Sequence, residues 1–178
     1  MNKIKLFAST FLLIATYVSC NQTQEATEAI ATDSVTVPVP VAIELKDANS
    51  DLAYHQYLHL KDVLVLSDST QAQGAAKDLA GTLVKIPGSK NSTKMAYDMA
   101  SEGSLSKQRI IFTILSTELI TMFKKADISS GSMFVQYCPM ANDGGGGYWL
   151  ASETEIRNPY YGDEMLNCGE VKETIAKK

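Results

Sequence analysis

The chain has 178 residues, of which 45% are hydrophobic and 20% are charged, a balance typical of a globular domain and not of a disordered chain. Asp and Glu outnumber Lys and Arg by 20 to 16, and no basic cluster is visible along the sequence. Phosphate binding needs such clusters, so the composition argues against a nucleic-acid partner.

Residues 1–20 have the features of a bacterial export signal. Lys3 and Lys5 precede an apolar core that is shorter than the roughly 20 residues a membrane-spanning helix needs. The core ends at Tyr17-Val18-Ser19-Cys20, which resembles the lipobox of bacterial lipoproteins, although Tyr17 replaces the usual leucine. We therefore predict that Cys20 is lipidated and anchors the protein to the cell envelope, facing the periplasm or the cell exterior. An ordinary cleaved signal with an incidental cysteine is the alternative.

Residues 21–47 are predicted to form a flexible tether. This stretch is rich in Thr, Ala, Glu and Pro and has no aromatic residue, so it buries too little apolar surface to offset its ordering entropy. The alternating Val and Pro residues from Val37 to Pro40 favour an extended backbone. The tether would hold the following domain, residues 48–178, away from the membrane.

Apolar residues at helical spacing predict four helices in the first part of that domain. Short loops between them favour an antiparallel bundle. The predicted helices run from a cap at Asn49 or Ser50 to about Ser67, from a cap at Asp68-Ser69 to Pro87-Gly88, around Met95 and Met99 to Gly103, and from about Ser104 to Ala126.

The pattern changes in residues 132–171, which we interpret as a small C-terminal lobe. Met133–Tyr137 is typical of a strand, and Tyr148–Leu150 is its predicted partner across a glycine loop. Trp149 is predicted to fasten the lobe to the helices. The predicted fold is therefore mainly α, an antiparallel bundle of about four helices with a Cys/Met lobe that contains short β-strands.

Four sulfur residues of this lobe form two pairs, Cys138 with Met140 and Met165 with Cys168. Thiolate and thioether are soft ligands that select ions such as Cu(I) or Ag(I). If the fold brings the two pairs face to face, they supply two to four sulfur ligands for one ion. The lobe contains no histidine, which argues against Cu(II) or a mixed zinc site.

A disulfide between Cys138 and Cys168 is the main alternative. Both would survive processing, an exported compartment is oxidising, and the bridge would close a loop of about 30 residues worth roughly 3–4 kcal/mol. Met140 and Met165 would then be ordinary core residues. Unpaired buried thiols are a third reading. The two main readings are compatible, because a reducible bridge could control metal binding.

Other candidate sites carry weaker signals. His55 and His59 are one helical turn apart, a spacing that can hold a metal, but no third ligand accompanies them. Asn142-Asp143 before Gly144–Gly147 lacks the alternating acids of a calcium loop and is interpreted as a turn. No nucleophile is paired with a general base, so the sequence predicts a protein that is not an enzyme.

Several segments together resemble the bacterial domain of unknown function 3347 family over about Ala48 to Ile175. The most distinctive runs are YCPMAND, GGYWL and EIRNPYYGDEMLNCGEV, supported by YLHLKDVLV at Tyr57–Val65, QRIIFTILS at Gln108–Ser116 and the alanine-rich second helix. The family is common in exported Bacteroidetes proteins and also occurs fused to adaptor subunits of heavy-metal efflux pumps.

This resemblance implies a metal-handling role. The Cys-Pro-Met run is similar to the Cys-Pro-Met-His motif of small heavy-metal-binding domains, but Ala141 stands where that motif has histidine. The segment Asn158–Gly162 would shape the loop that presents Met165. The implied metal ligands are Cys138, Met140, Met165 and Cys168.

The sequence therefore predicts a membrane-tethered domain that binds Cu(I) or a related soft ion and supports heavy-metal efflux or resistance. A heavy-metal efflux adaptor or a metallochaperone is the implied partner. The alternative is a structural or protein-interaction module, in which the cysteines are bridged and Tyr160-Tyr161 contacts another protein.

Overall fold

A computed structural model describes residues 42–177. The predicted export signal, Cys20 and the tether up to residue 41 lie outside the described residues. Within residues 42–177, no helix is both long and apolar enough to cross a membrane.

The described chain is mainly helical with two small antiparallel sheets, which confirms the predicted fold class at that level. Each of the four predicted helices is present, and consecutive helices pack against each other. Their bounds are Ala48–Val65 (α1), Ser69–Leu83 (α2), Lys90–Ser101 (α3) and Leu105–Phe123 (α4).

The starts of the first two helices are fixed by aspartate caps. The side chain of Asp68 accepts a hydrogen bond from the Gln71 amide at 2.8 Å, as predicted. The prediction of Asn49 or Ser50 as the cap of α1 was wrong, because Asp47 holds that position. Its carboxylate accepts hydrogen bonds from both the amide and the hydroxyl of Ser50 at 2.8 Å, so Ser50 is a donor to the cap.

A two-stranded sheet closes the N-terminal edge of the domain. Glu44–Leu45 (β1) pairs antiparallel with Ile128–Ser130 (β2), which follows α4. Ile43 and Leu45 are buried in the core. The ordered domain therefore begins before residue 48, within the segment that the sequence assigns to the tether.

The second sheet has three strands in the order β4-β3-β5, and all of its pairings are antiparallel. β3 pairs with β4, as predicted, and the register places Val135 opposite Leu150 and Tyr137 opposite Tyr148. β5 was not predicted. The strands are Ser132–Cys138 (β3), Gly147–Ala151 (β4) and Glu170–Ala176 (β5), and a short helical turn, Ala141–Gly144 (α5), lies between β3 and β4.

Aromatic side chains join the helices to this sheet in one core. Tyr57 of α1 stacks on Phe112 of α4 with ring centroids 5.5 Å apart. The Tyr57 hydroxyl also accepts a hydrogen bond from the Leu150 amide of β4 at 3.1 Å. Trp149 is fully buried and meets the ring of Tyr160 edge-on at 6.0 Å. The sheet whose central strand ends at Cys138 is thus fixed against α1 and α4.

Candidate functional site

The two cysteines meet because they occupy adjacent ends of antiparallel strands. Cys138 is the last residue of β3 and is buried, whereas Cys168 lies two residues before β5 and is partly exposed. Their Sγ atoms are 2.6 Å apart, with no covalent bond assigned between them. The structure therefore brings together the two residues on which both the metal and the disulfide predictions depend.

The separation of the sulfurs limits what can lie between them. A covalent bridge has a sulfur–sulfur distance of about 2.05 Å. Two thiolates that share one tetrahedral ion at metal–sulfur distances of about 2.3 Å lie roughly 3.7 Å apart or more. At 2.6 Å the pair is closer to a bridge, and the sulfurs would have to separate by about 1 Å to admit an ion.

Both predicted methionine ligands lie in the segments that converge on Cys168. The amide of Met140 faces the Cys168 sulfur, and the carbonyl of Met165 accepts a hydrogen bond from the Cys168 amide at 3.0 Å. These contacts use the main chain and not the thioether groups. The Met140 side chain is 51% exposed and that of Met165 is partly exposed. The main chain of both methionines therefore lies beside Cys168.

The thiol contact changes the acidity of Cys168. Its hydrogen bond with Cys138 raises the pKa of the Cys168 thiol, and burial and the charge of Cys138 act in the same direction, while the Met140 amide opposes them. Less thiolate is therefore present at neutral pH than at an ordinary cysteine. Binding of an ion would have to displace this proton, so soft-metal affinity should increase with pH.

The segment Asn158–Gly162, which was expected to shape the loop that presents Met165, links the two sulfur-bearing segments through hydrogen bonds. The buried Asn158 amide group donates to the Cys168 carbonyl at 2.9 Å, and its main-chain amide donates to Leu166 at 2.8 Å. The Tyr161 hydroxyl donates to the Met140 carbonyl at 2.5 Å. The loop therefore holds the main chain on both sides of the thiols.

Arg109 of α4 forms a hydrogen bond to this loop. The sequence analysis did not identify it as a residue that supports the site. Its Nε donates to the Pro159 carbonyl at 2.9 Å, and its Nη2 donates to the Leu64 carbonyl at 3.1 Å and the Ser67 hydroxyl at 3.0 Å. Burial lowers the pKa of Arg109, and the charge of Glu164 opposes that shift. The sequence pattern around Arg109 did not indicate this role, because its hydrogen-bond partners lie more than 40 residues away in the sequence.

The glycine run forms a tight turn beside the site. Asn142 and Asp143 both adopt left-handed backbone angles, with φ of 53° and 56°. The Asn142 side chain donates to the Gly146 carbonyl at 2.8 Å and to the Thr113 hydroxyl at 2.9 Å, which ties the turn to α4. These contacts agree with the interpretation of this segment as a turn.

Within residues 42–177, no three His, Cys, Asp or Glu side chains gather where they could hold an ion. His55 and His59 are exposed, and His55 lies 3.8 Å from the Asp51 carboxylate. Among the described residues, no third His, Cys, Asp or Glu accompanies Cys138 and Cys168, so the further ligands that the sequence predicts for an ion there are the sulfurs of Met140 and Met165.

The comparisons with known proteins bear on the helical part of the domain. Residues 53–131 match the family model described as Protein of unknown function (DUF3347). This match confirms the predicted resemblance to that family over residues 53–131. No curated protein and no solved structure matches the chain.

The DUF3347 match ends at Gly131, so the cysteine and methionine segments lie outside it. It spans most of α1 and all of α2, α3, α4 and β2. The DUF3347 segment therefore contains Arg109, Tyr57 and Phe112, which support the lobe, but none of the four candidate ligands.

Proposed function

We propose that this protein is an exported, membrane-tethered domain that binds a soft ion such as Cu(I) or Ag(I) through Cys138 and Cys168. The observation that supports the proposal is the contact between the two sulfurs, which brings both Cys/Met segments to one surface position. Thiolates select soft ions over Mg²⁺, Ca²⁺ and other hard ions. Binding would serve heavy-metal efflux or resistance and would not involve catalysis.

The same contact gives the site a second chemical state. Loss of two electrons and two protons to an oxidant of the exported compartment would join the sulfurs as a disulfide. The bridge and the metal complex exclude each other, because a sulfur in a disulfide is no longer a thiolate ligand. In this proposal the reduced pair opens by about 1 Å to bind the ion.

An anaerobic titration tests the metal site. The fully reduced protein should bind about one equivalent of Cu(I) against a competing chelator, and X-ray absorption should show only sulfur ligands. Cys138→Ser and Cys168→Ser should each abolish this binding. Met140→Leu and Met165→Leu should weaken it if the thioethers are ligands, whereas Met95→Leu in α3 is the matched control. Stoichiometric binding that survives both cysteine substitutions would refute the site.

A structural or interaction module is the second candidate, and the 2.6 Å separation of the sulfurs favours it. Here the bridge pins the lobe, and the exposed part of Tyr161 contributes to a protein contact. Intact mass before and after thiol alkylation, on protein isolated from the cell envelope, separates the two functions. A fully bridged protein that resists mild reductant supports this second candidate.

The proposal includes three further parts. Cys20 carries the lipid anchor, which mass spectrometry of the N-terminal peptide would detect as an added acyl mass. The four helices pack as an antiparallel bundle that serves as the scaffold. The metal is exchanged with a heavy-metal efflux adaptor or a metallochaperone, which should be recovered by crosslinking in cells exposed to copper.

A further inference from the structure

A basic surface lies at the end of the domain opposite to the cysteines. It surrounds a shallow pocket where the segment after β1, the carboxyl end of α4 and the end of β5 meet. The charged residues that line this pocket are one carboxylate, Asp127, and four lysines, Lys46, Lys124, Lys125 and Lys177. We name these four side chains the lysine cluster.

The lysine cluster keeps a positive charge after its ion pairs are counted. Lys46 lies 3.9 Å from Asp127, and Lys124 lies 2.5 Å from Glu173. Within residues 42–177, no carboxylate is within ion-pair distance of Lys125 or Lys177, and both are exposed. Lys125 and Lys177 therefore leave positive charge at this pocket, although the whole chain has a net charge of −4.

The N-terminal part of the chain joins the described domain at the same end. The carbonyl of Ala42 accepts a hydrogen bond from the Ser130 hydroxyl at 3.2 Å. The amide of Lys46 donates to the Asp127 carbonyl at 2.9 Å. The segment that carries the proposed anchor at Cys20 therefore enters the domain beside the lysine cluster.

We propose that the lysine cluster binds the anionic phospholipid surface of the membrane to which the chain is tethered. A tether raises the effective concentration of headgroups at the domain, so individually weak contacts can be occupied. Each lysine near an anionic surface strengthens binding about fivefold, and salt screens the attraction. The proposal does not require metal binding, but it rests on the anchor at Cys20 in the proposed function, so the N-terminal acyl mass is verified on the protein used in the test.

Lysine footprinting on the full-chain protein reconstituted into vesicles tests this surface. Vesicles of phosphatidylcholine with and without phosphatidylglycerol are compared, and acetylation of each lysine is followed by mass spectrometry. We expect slower labelling of the lysine cluster only with phosphatidylglycerol, with the difference lost at high salt. Lys77 in α2, Lys85 in the turn after α2 and Lys90 at the start of α3 are exposed controls and should label equally in both vesicles.

A charge-reversal pair provides the matched variant. The double substitution Lys125→Glu and Lys177→Glu should weaken binding to the anionic vesicles by more than tenfold. Lys46 and Lys124 should then lose their protection from acetylation. The double substitution Lys85→Glu and Lys90→Glu should leave that protection unchanged. Circular dichroism checks that both variants fold. Equal labelling in the two vesicles, or protection that persists at high salt or appears only with added envelope protein, would overturn the proposal.

Discussion

Lys61 is a buried charge that ties α1 to the chain after β4. Its ammonium group lies 2.7 Å from the Glu153 carboxylate and 2.9 Å from that of Asp62, and the side chain is only 2% exposed. Burial acts to raise the pKa of Glu153, but hydrogen bonds from Lys61 and Ser152 outweigh it and leave that pKa lowered. The carboxylate of Glu153 is thus favoured by folding.

The first prediction concerns this ion pair. Because the pKa of Glu153 is lower in the folded state, its contribution to stability is complete above pH 4.5 and is lost as the pH falls through the folded pKa. Glu153→Gln should lower the free energy of unfolding at pH 7 by about 1–3 kcal/mol and reduce its loss in acid. Urea denaturation at several pH values measures both effects. Glu118→Gln, at an exposed position on α4, should change neither.

The second prediction concerns Gly147, which pairs with Cys138 in the sheet. A Cβ at this position would lie 2.6 Å from the Tyr160 ring and 3.0 Å from the Ala141 side chain. Gly147→Ala should therefore cost about 1–3 kcal/mol of unfolding free energy and disturb the site. Gly81→Ala in α2 meets no atom within 4 Å and should be neutral or stabilising. Equal effects of the two substitutions in urea denaturation would contradict the packing argument.

At the scale of single elements, α2 and α4 differ in whether a side chain caps their first turn. Asp68 caps α2 with a side-chain hydrogen bond, whereas Ser104 precedes α4 without one. We predict that Asp68→Ala lowers the free energy of unfolding by about 1 kcal/mol and that Ser104→Ala changes it by much less. Chemical denaturation of the two variants decides this, and a larger loss for Ser104→Ala would contradict it.

The strands show what could and could not be predicted from the sequence. The pairing of β3 with β4 was predicted because apolar and aromatic residues flank a glycine turn. β5 was missed because most of its residues are charged or polar and exposed, with Val171 and Ile175 as its only aliphatic residues larger than alanine. An edge strand of this kind is stabilised by main-chain pairing with β3, which leaves no hydrophobic pattern in the sequence.

The side-chain contacts that position the site were harder to predict than the elements. The helical periodicity located α1 to α4, and the sulfur spacing located the candidate ligands. Lys61 and Arg109 were not identified, because their partners Glu153 and Pro159 are 92 and 50 residues away in the sequence. The contact between Cys138 and Cys168 was one of several open alternatives, since it depends on the pairing of β3 with the unpredicted β5.

For the whole molecule, we predict that the redox state of the cysteines sets the stability. A bridge between Cys138 and Cys168 would close a loop that contains Trp149 and the Asn158–Gly162 segment. The oxidised protein should therefore have a free energy of unfolding about 3–4 kcal/mol above that of the reduced protein. Urea denaturation with and without reductant measures the difference. The double variant Cys138→Ser, Cys168→Ser should not respond to reductant, and an equal response would contradict the bridge.

The length of β3 has a consequence for where the proposed metal exchange would take place. The strand begins at Ser132, which pairs with Ala176 beside the lysine cluster, and ends six residues later at Cys138. At about 3.3 Å per residue it separates the two ends by roughly 20 Å. That is more than twice the screening length of about 8 Å in physiological salt. In the proposed orientation, with the lysine cluster on the headgroups, the thiols would lie outside the range of the membrane's surface charge. A soluble metal donor or an adaptor protein could then approach them without contacting lipid.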